Sequence, residues 1–539
     1  MNKKLVTSLI VLLALIVFIN CQNDTDVTIP TNTTTTAIPI APPQQSETEE
    51  SLDYLYMIST LFLTIFLTFF FHKFNIKYLP ESVVTIFVGA VLGAILVIQG
   101  RKVIEFKLNS NTFYLLLLPP IIFESGYNLK KKDFFINFGS ILSYAVIGTL
   151  ISTIVIGLGL TITLRLPPLD SFVFASLISA TDPVAVVAVM QGANVDTTLK
   201  ALVCGESVLN DAVAIVLFRT FVESYEETAK HSLFGVIGSF IITFFGSIII
   251  GAVTGFMTSL VFKHLNFKKT PALEFSFLMI TCYTTFLIGE GLEMSGILAI
   301  LTNGIVTSHY THYNLSSSSK TAAHLCFKTM AFVCETIVFV YLGLAIFTFH
   351  HEFDFFLILL SVILIFLGRA ANVFSVSYVL NHINTSPLSF KTQFVMFFSG
   401  LRGAIAFSLS LTTVKNDNHN KIITTTLFIC LFTTIILGGG TTPLLKYLYN
   451  DLDIEDNSAE NVDAELTEIT PQLNGLNLLA TVDDQYVQPF FRSQIQSPMV
   501  PSPRTMYSEV KEQESSSDDD DKDEKISIKI TDTSRVNLD

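Results

Sequence analysis

Between Asp53 and Tyr449 the chain alternates long apolar runs with short polar breaks, and each run is about as long as a bilayer requires. About thirteen such runs are present, near 53–72, 81–99, 112–127, 135–164, 171–192, 199–224, 233–264, 271–289, 293–309, 325–348, 355–381, 388–414 and 420–446. Hydrocarbon offers backbone groups no partners, so a span must satisfy its own hydrogen bonds as a helix. The expected fold is therefore an all-α polytopic membrane protein. Two runs contain helix breakers. Pro183 follows Asp182 in "SATDPVAVVAV", and Gly400 and Gly403 flank Arg402 in "FFSGLRGAIAFSLS". Proline removes a backbone donor and disfavours helix at the residue before it, so 171–192 is expected to be interrupted. The glycines permit the same, or close packing, in 388–414.

The two ends have a different pattern. Residues 1–21 carry Lys3 and Lys4, a short apolar run and then small or polar residues, which reads as a signal peptide; a retained signal anchor is the alternative. Residues 22–52 are rich in Thr and Pro and too polar to build a core. Placed in the lumen or outside the cell, they offer Asn23 and Asn32 for glycosylation. Residues 450–539 are acidic, as in "EQESSSDDDDKDE", and read as a disordered cytosolic tail, with Ser497-Pro498 and Ser502-Pro503 as weak phosphorylation signals. The transmembrane domain is thus 53–449.

Composition agrees. Half of the 539 residues are hydrophobic, 14% are charged, and the mean hydropathy is +0.55. The net charge of -14 lies largely in the tail and implies no nucleic-acid partner. Cys204, Cys282, Cys326, Cys334 and Cys430 lie in or beside apolar runs without metal-ligand spacing, which predicts thiols rather than a disulfide framework. With the N-terminus outside, the inner loops receive Lys73 and Lys77, then Lys130 to Lys132, then Lys263, Lys268 and Lys269. Arg101, Lys102 and Lys107 run against this trend, but the bias favours a cytosolic tail.

The chemistry lies in the few ionisable residues inside the spans, which are costly and usually face a partner, a cavity or an ion path. "GESVLNDAVAIVLF" places Glu206 and Asn210 one turn apart, with Asp211 offset by about 100° from Asn210. Arg is a natural partner for a buried carboxylate, so Glu206 with Arg369 reads as a structural pair. Asp182 and Asp211 have no basic residue within a turn. Beside the Asp-Pro break they read as an ion site, because a broken span leaves helix ends and free carbonyls at membrane depth. Arg402 would offset the partial charges of those ends, and Glu335 would partner Arg402 or Arg369.

Five stretches carry a resemblance: "LPPIIFESGY" (118–127), "SATDPVAVVAV" (179–189), "GESVLNDAVAIVL" (205–217), "CETIVFVYLGLAIF" (334–347) and "FSGLRGAIAFSLSL" (398–411). In this order and spacing the chain resembles the eukaryotic sodium/proton exchangers of the monovalent cation:proton antiporter superfamily, most of all the endomembrane branch of Golgi and endosomes. The tail lacks the long basic region of plasma-membrane members. The resemblance implies thirteen membrane helices in two inverted six-helix repeats whose broken helices cross, and a homodimer in membrane lipid. The segments divide as 81–264 and 271–446, with 171–192 and 388–414 in equivalent places. It further implies that Asp211 binds cation or proton in competition, with Asn210, Asp182 and freed carbonyls completing a sodium site. Asn210 stands where electrogenic relatives have a second Asp, so exchange is expected to be electroneutral. Leu118, Pro119, Pro120, Ile121, Ile122 and Phe123 would line the approach, where amiloride-type inhibitors act in related exchangers. No catalytic residue is expected, and no cofactor beyond the transported ions. A cation channel and a non-transporting scaffold or sensor are the rival readings. Sodium uptake coupled to proton efflux without current would separate exchange from the first, and the buried acids argue against the second.

Overall fold

A computed structural model describes residues 58–70, 80–98, 113–129, 131–163, 165–182, 184–191, 195–226, 233–265, 270–349, 351–383, 387–449 and 487–492, with positions 73 and 267. The signal region, Asn23, Asn32 and Pro183 lie outside the described residues, as does the tail apart from 487–492.

Every apolar run of the sequence contains helix, and the described residues contain no strand. In chain order the helices are α1 (Ile58–Phe70), α2 (Glu81–Ile98), α3 (Phe113–Tyr127), α4 (Phe138–Ile162), α5 (Pro168–Ser179) and α6 (Val184–Gln191). They continue as α7 (Thr197–Glu226), α8 (Leu233–His264), α9 (Pro271–Gly291), α10 (Gly296–Val306), α11 (Ser317–Thr348), α12 (Phe355–Ile383), α13 (Phe390–Phe398), α14 (Ala404–Ser410) and α15 (His419–Leu448). Seven of them are long and apolar enough, each by itself, to cross a membrane. The expected interruptions are both present: α5 stops at Ser179 and α6 starts at Val184, while α13 stops at Phe398 and α14 starts at Ala404.

Packing sorts the helices into two groups. In the first, α2 crosses α11, α3 packs on α10 and α11, and α8 packs on α9 and α10. Glycine makes the α2–α11 crossing close: a Cβ on Gly89 would stand 2.1 Å from the Val340 carbonyl oxygen, and one on Gly343 2.1 Å from that of Ile86. In the second group α4 packs on α5 and α12, α7 on α5, and α14 on α5 and α15. The first group presents a broad apolar face outward. On α8, Ile242, Ile249 and Met257 are all about 60% exposed, which water would penalise and lipid or a second subunit would not.

The helix order corrects the division into repeats. Counted from residue 81 the interrupted α5–α6 span is fourth of six, whereas α13–α14 is fifth in the run from 271. Beginning the first run at Ile58 and closing it at Glu226 brings both breaks to fifth place and leaves α8 as the link. That link packs with the first group, away from the interrupted spans.

Candidate functional site

The two interruptions meet. The Asp182 backbone N–H donates to the Leu401 carbonyl at 2.9 Å, which ties the gap after α5 to the gap before α14. Arg402 Nη1 donates to the carbonyls of Ser179 and Ala180, at 2.9 and 3.0 Å. These carbonyls close α5 and have no helical partner, so the guanidinium satisfies them and offsets the negative helix end. The Arg402 N–H in turn donates to Thr433 Oγ1 at 3.0 Å. Thr433 opens a π-helical turn, Thr433–Gly438, within α15. A second π turn, Ser143–Gly148, interrupts α4 just before Thr149, which bonds Asn210. Such widened turns free or shift backbone groups and are frequent at functional positions.

Glycine decides how closely the chains cross. A Cβ on Gly403 would fall 2.1 Å from Asp182 Oδ2, so the Asp182 carboxyl lies directly against this backbone. A Cβ on Gly400 would stand 2.9 Å from Arg369 Nε. Gly400 therefore leaves the passage through which the Arg369 side chain reaches α7.

On α7 the three residues of the "ESVLND" stretch part company. Glu206 is fully buried and bound by both terminal nitrogens of Arg369, with Nη2 to Oε2 at 3.0 Å. Arg369 Nη2 also donates to the Met396 carbonyl at 2.6 Å, which fixes the end of α13. Asn210 is held on both faces of its amide: Thr149 Oγ1 donates to Oδ1 at 2.8 Å, and Nδ2 donates to Thr181 Oγ1 at 3.1 Å. Asp211 is 9% exposed and makes no hydrogen bond or ion pair among the described residues. The charges acting on it are those of Asp182 and Arg402. The structure thus brings Asp182, Asn210, Asp211, Arg402, Gly400 and Gly403 to one place, with Glu206 and Arg369 beside them.

The geometry bears on three expectations. Arg402 takes the place expected of it at a broken helix end, and in doing so it engages two of the freed carbonyls, those of Ser179 and Ala180. Among the described residues Glu335, on α11, pairs with neither Arg369, which binds Glu206, nor Arg402. The charges acting on Glu335 are carboxylates instead, those of Asp182, Glu124 and Glu81. Finally, of the six residues expected to line the approach, Leu118, Pro119, Ile121, Ile122 and Phe123 are buried and Pro120 is half-exposed. The Phe123 ring lies 4.6 Å from that of Phe327 on α11, and Gly126 and Gly304 let α3 and α10 touch.

The small hydroxyls at the site carry no distinguishing mark in the sequence. Thr149 and Thr181 bond Asn210, Thr181 Oγ1 lies 3.3 Å from Ser207 Oγ, and Thr153 Oγ1 donates to Ser179 Oγ at 3.1 Å. Ser and Thr are common in spans and usually bond their own helix, so composition alone does not mark them. Nor does it mark a second ion pair on α7. Arg219 Nη2 meets Glu290 Oε2 at 2.8 Å, Tyr114 donates to Glu290 Oε1 at 2.8 Å, and the same Oε1 accepts the Gly296 N–H at 2.8 Å, at the start of α10.

Comparison with known proteins gives a concordant result. Residues 58–447 match the family model described as "Sodium/hydrogen exchanger, transmembrane". The chain is 40% identical to sodium/hydrogen exchanger 8 of Rattus norvegicus over 84% of its own length and 82% of the relative's. It is 36% identical to sodium/hydrogen exchanger 1 of Dictyostelium discoideum, over 82% of this chain and 67% of that one. Among solved structures, the sodium proton antiporter MjNhaP1 from Methanocaldococcus jannaschii superposes with a TM-score of 0.58 at 18% identity. That match covers 74% of this chain and all of the other, and it bears on the fold alone.

Proposed function

This chain belongs to the sodium/hydrogen exchanger family and is a multi-pass membrane antiporter of sodium and protons, and we propose that the two ions occupy the Asp211 carboxylate by turns. The observation that carries this reading is a contrast of partners at the crossing. Glu206, Asn210 and Arg402 have hydrogen bonds to protein groups, whereas Asp211 is buried beside them with none among the described residues. A buried carboxylate without donors is costly unless a cation or a proton satisfies it. A hard cation prefers oxygen ligands, and the oxygens at hand belong to Asp211 and Asp182, with the second lone pair of Asn210 Oδ1.

The stoichiometry follows from the count of exchangeable groups. Asn210 is neutral and its amide is engaged on both sides, which leaves Asp211 to take either one cation or one proton per half-cycle. Asp182 stays in place as a support, anchored by its backbone to Leu401 and packed on Gly403. Exchange is then electroneutral. The second helix group supplies the moving body, and the first, built around α2, α3, α8, α10 and α11, supplies the frame against which it shifts. The outward apolar stripe of α8 supports a homodimer in membrane lipid. The resemblance to the endomembrane branch, with the relatedness to sodium/hydrogen exchanger 8, supports residence in Golgi or endosomal membranes. Surface labelling of most of the steady-state pool would contradict that location.

The test of the ion chemistry is direct. Purified protein is reconstituted in acid-loaded vesicles, and proton release is followed on addition of sodium, potassium or lithium with the membrane potential clamped at several values. Sodium is expected to release protons at a rate indifferent to the potential. A rate that tracks the potential removes the one-for-one scheme, and the same assay ranks the three cations.

A further inference from the structure

Residues 487–492 lie in the region that the sequence marks as a solvated tail, yet they are seated on the body of the protein. Gln488–Phe491 form one helical turn with Pro489 in its first positions. The seat lies between the end of α8 and the corner Thr307–Asn314 that follows α10. The Phe491 ring stands 4.5 Å from that of Phe256 and 5.8 Å from that of Tyr310. Its carbonyl accepts from Ser259 Oγ at 3.0 Å and from Asn314 Nδ2 at 2.9 Å. Lys263 Nζ donates to the carbonyls of Pro489 and Phe490 at 2.9 and 2.7 Å, placing a cation on the open carbonyl end of the turn. Arg492 Nη2 donates to the His309 carbonyl at 2.8 Å, and its guanidinium lies 3.7 Å above the Tyr313 ring.

This is a recognition site in its chemistry: an aromatic slot, a cation for the end of the turn, and a stacking platform for an arginine. It sits at the membrane side where Lys263, Lys268 and Lys269 place the cytosol, the side to which the tail is expected to emerge. We propose that this surface is an intramolecular docking site for the Pro489–Arg492 segment, and that occupancy of the site biases the transport equilibrium. Its effect on transport rests on the antiport reading; its existence does not.

The bias has a structural route. The tail leaves the body from α15, in the group that carries the crossing, but docks on α8 and the α10 corner, in the other group. That corner holds the end of α3: Ser308 Oγ donates to the Tyr127 carbonyl at 2.6 Å, and the Tyr127 hydroxyl lies 3.4 Å from His312 Nδ1. Contacts made better in one access state than in the other shift the balance between them by their differential energy. Covalent attachment keeps the local concentration of the segment high, so a single turn suffices to fill the site.

The experiment uses the full chain in membrane vesicles, with photoreactive benzoylphenylalanine in place of Phe490, which is 60% exposed and has Lys263 Nζ 5.9 Å from its ring centroid. Cross-links are expected within 256–263 and 309–314. Arg492→Glu on the tail, or Lys263→Gln on the body, is expected to lower their yield by about fivefold or more, the change that roughly 1 kcal/mol of lost contact makes. Scattered cross-links, or a yield unchanged by both variants, overturn the docking site. In the same vesicles Arg492→Glu is expected to shift the sodium concentration for half-maximal proton release by about fivefold, within the usual range of coupling. A lost cross-link with no such shift overturns the transport bias and leaves the antiport reading untouched.

Discussion

Asp170 and Asp211 are both buried aspartates, and the protein treats them in opposite ways. Asp170 lies in the first turn of α5 at 3% exposure, and its carboxylate is surrounded by donors: Asn416 Nδ2 at 2.9 Å, Asn418 Nδ2 at 2.7 Å, and the Tyr225 hydroxyl. Those donors come from the end of α7 and from the connection between α14 and α15. The Asp170 region thus pins the start of one broken span to the exit of the other. Asp211, in the same helix group, has no such donors among the described residues. A carboxylate whose oxygens are all engaged is fixed structure, because any ion must first displace hydrogen bonds that the burial demands. A carboxylate left open can pass between ligands. The difference lies in neighbouring donors, not in residue type or depth.

The largest effect expected from this contrast is at Asp211. Asp211→Asn should abolish sodium-dependent proton flux while leaving yield and location near normal, since the change is nearly isosteric and removes a buried charge. Flux near the unmodified level at high sodium would place the exchanging group elsewhere. Next comes the crossing itself. Gly403→Ala pushes a methyl against Asp182 Oδ2, and displacements of about 1 Å at a reacting centre cost up to ~100-fold, so exchange should fall by at least ~10-fold. Initial flux rates in reconstituted vesicles measure this, and an unaffected rate would mean that the Asp182 carboxyl does not need its place on Gly403.

The smaller effects should appear in stability rather than transport. Glu206→Gln strands Arg369, which is bonded to both Glu206 oxygens, and breaking one side of a buried pair costs about 3–5 kcal/mol. Low yield and a lowered melting temperature in detergent are the expected signs. A stable variant with lost flux would move Glu206 into the ion site. Asp170→Asn should cost less, about 1–3 kcal/mol, because an amide turns one acceptor into a donor facing other donors. Its half-maximal sodium concentration should stay unchanged. A shifted value would erase the distinction drawn between the two aspartates.

Much of the architecture was legible in the sequence because span formation is a local matter. A run of apolar residues long enough for hydrocarbon forms a helix whatever its neighbours do, and Pro or Gly interrupts it from within. The runs, both interruptions, the acids inside them and the Glu206–Arg369 pair could therefore be read from residue types and spacing. Pairing among the remaining polar groups could not. Glu335, expected on an arginine, pairs with none among the described residues, and the charges acting on it are those of Asp182, Glu124 and Glu81. Arg402 meets a broken helix end, as its charge implies, but which carbonyls it takes, those of Ser179 and Ala180, is set by the crossing. The Arg219–Glu290 pair and the seat of Pro489–Arg492 join residues far apart in the chain. Which donor reaches which acceptor depends on where helices cross and on the side chains, or missing side chains, that let them approach. Hydropathy sums over a window and carries none of that, so the sequence by itself determined what each segment is, and only the packed structure decided which buried charge meets donors and which does not.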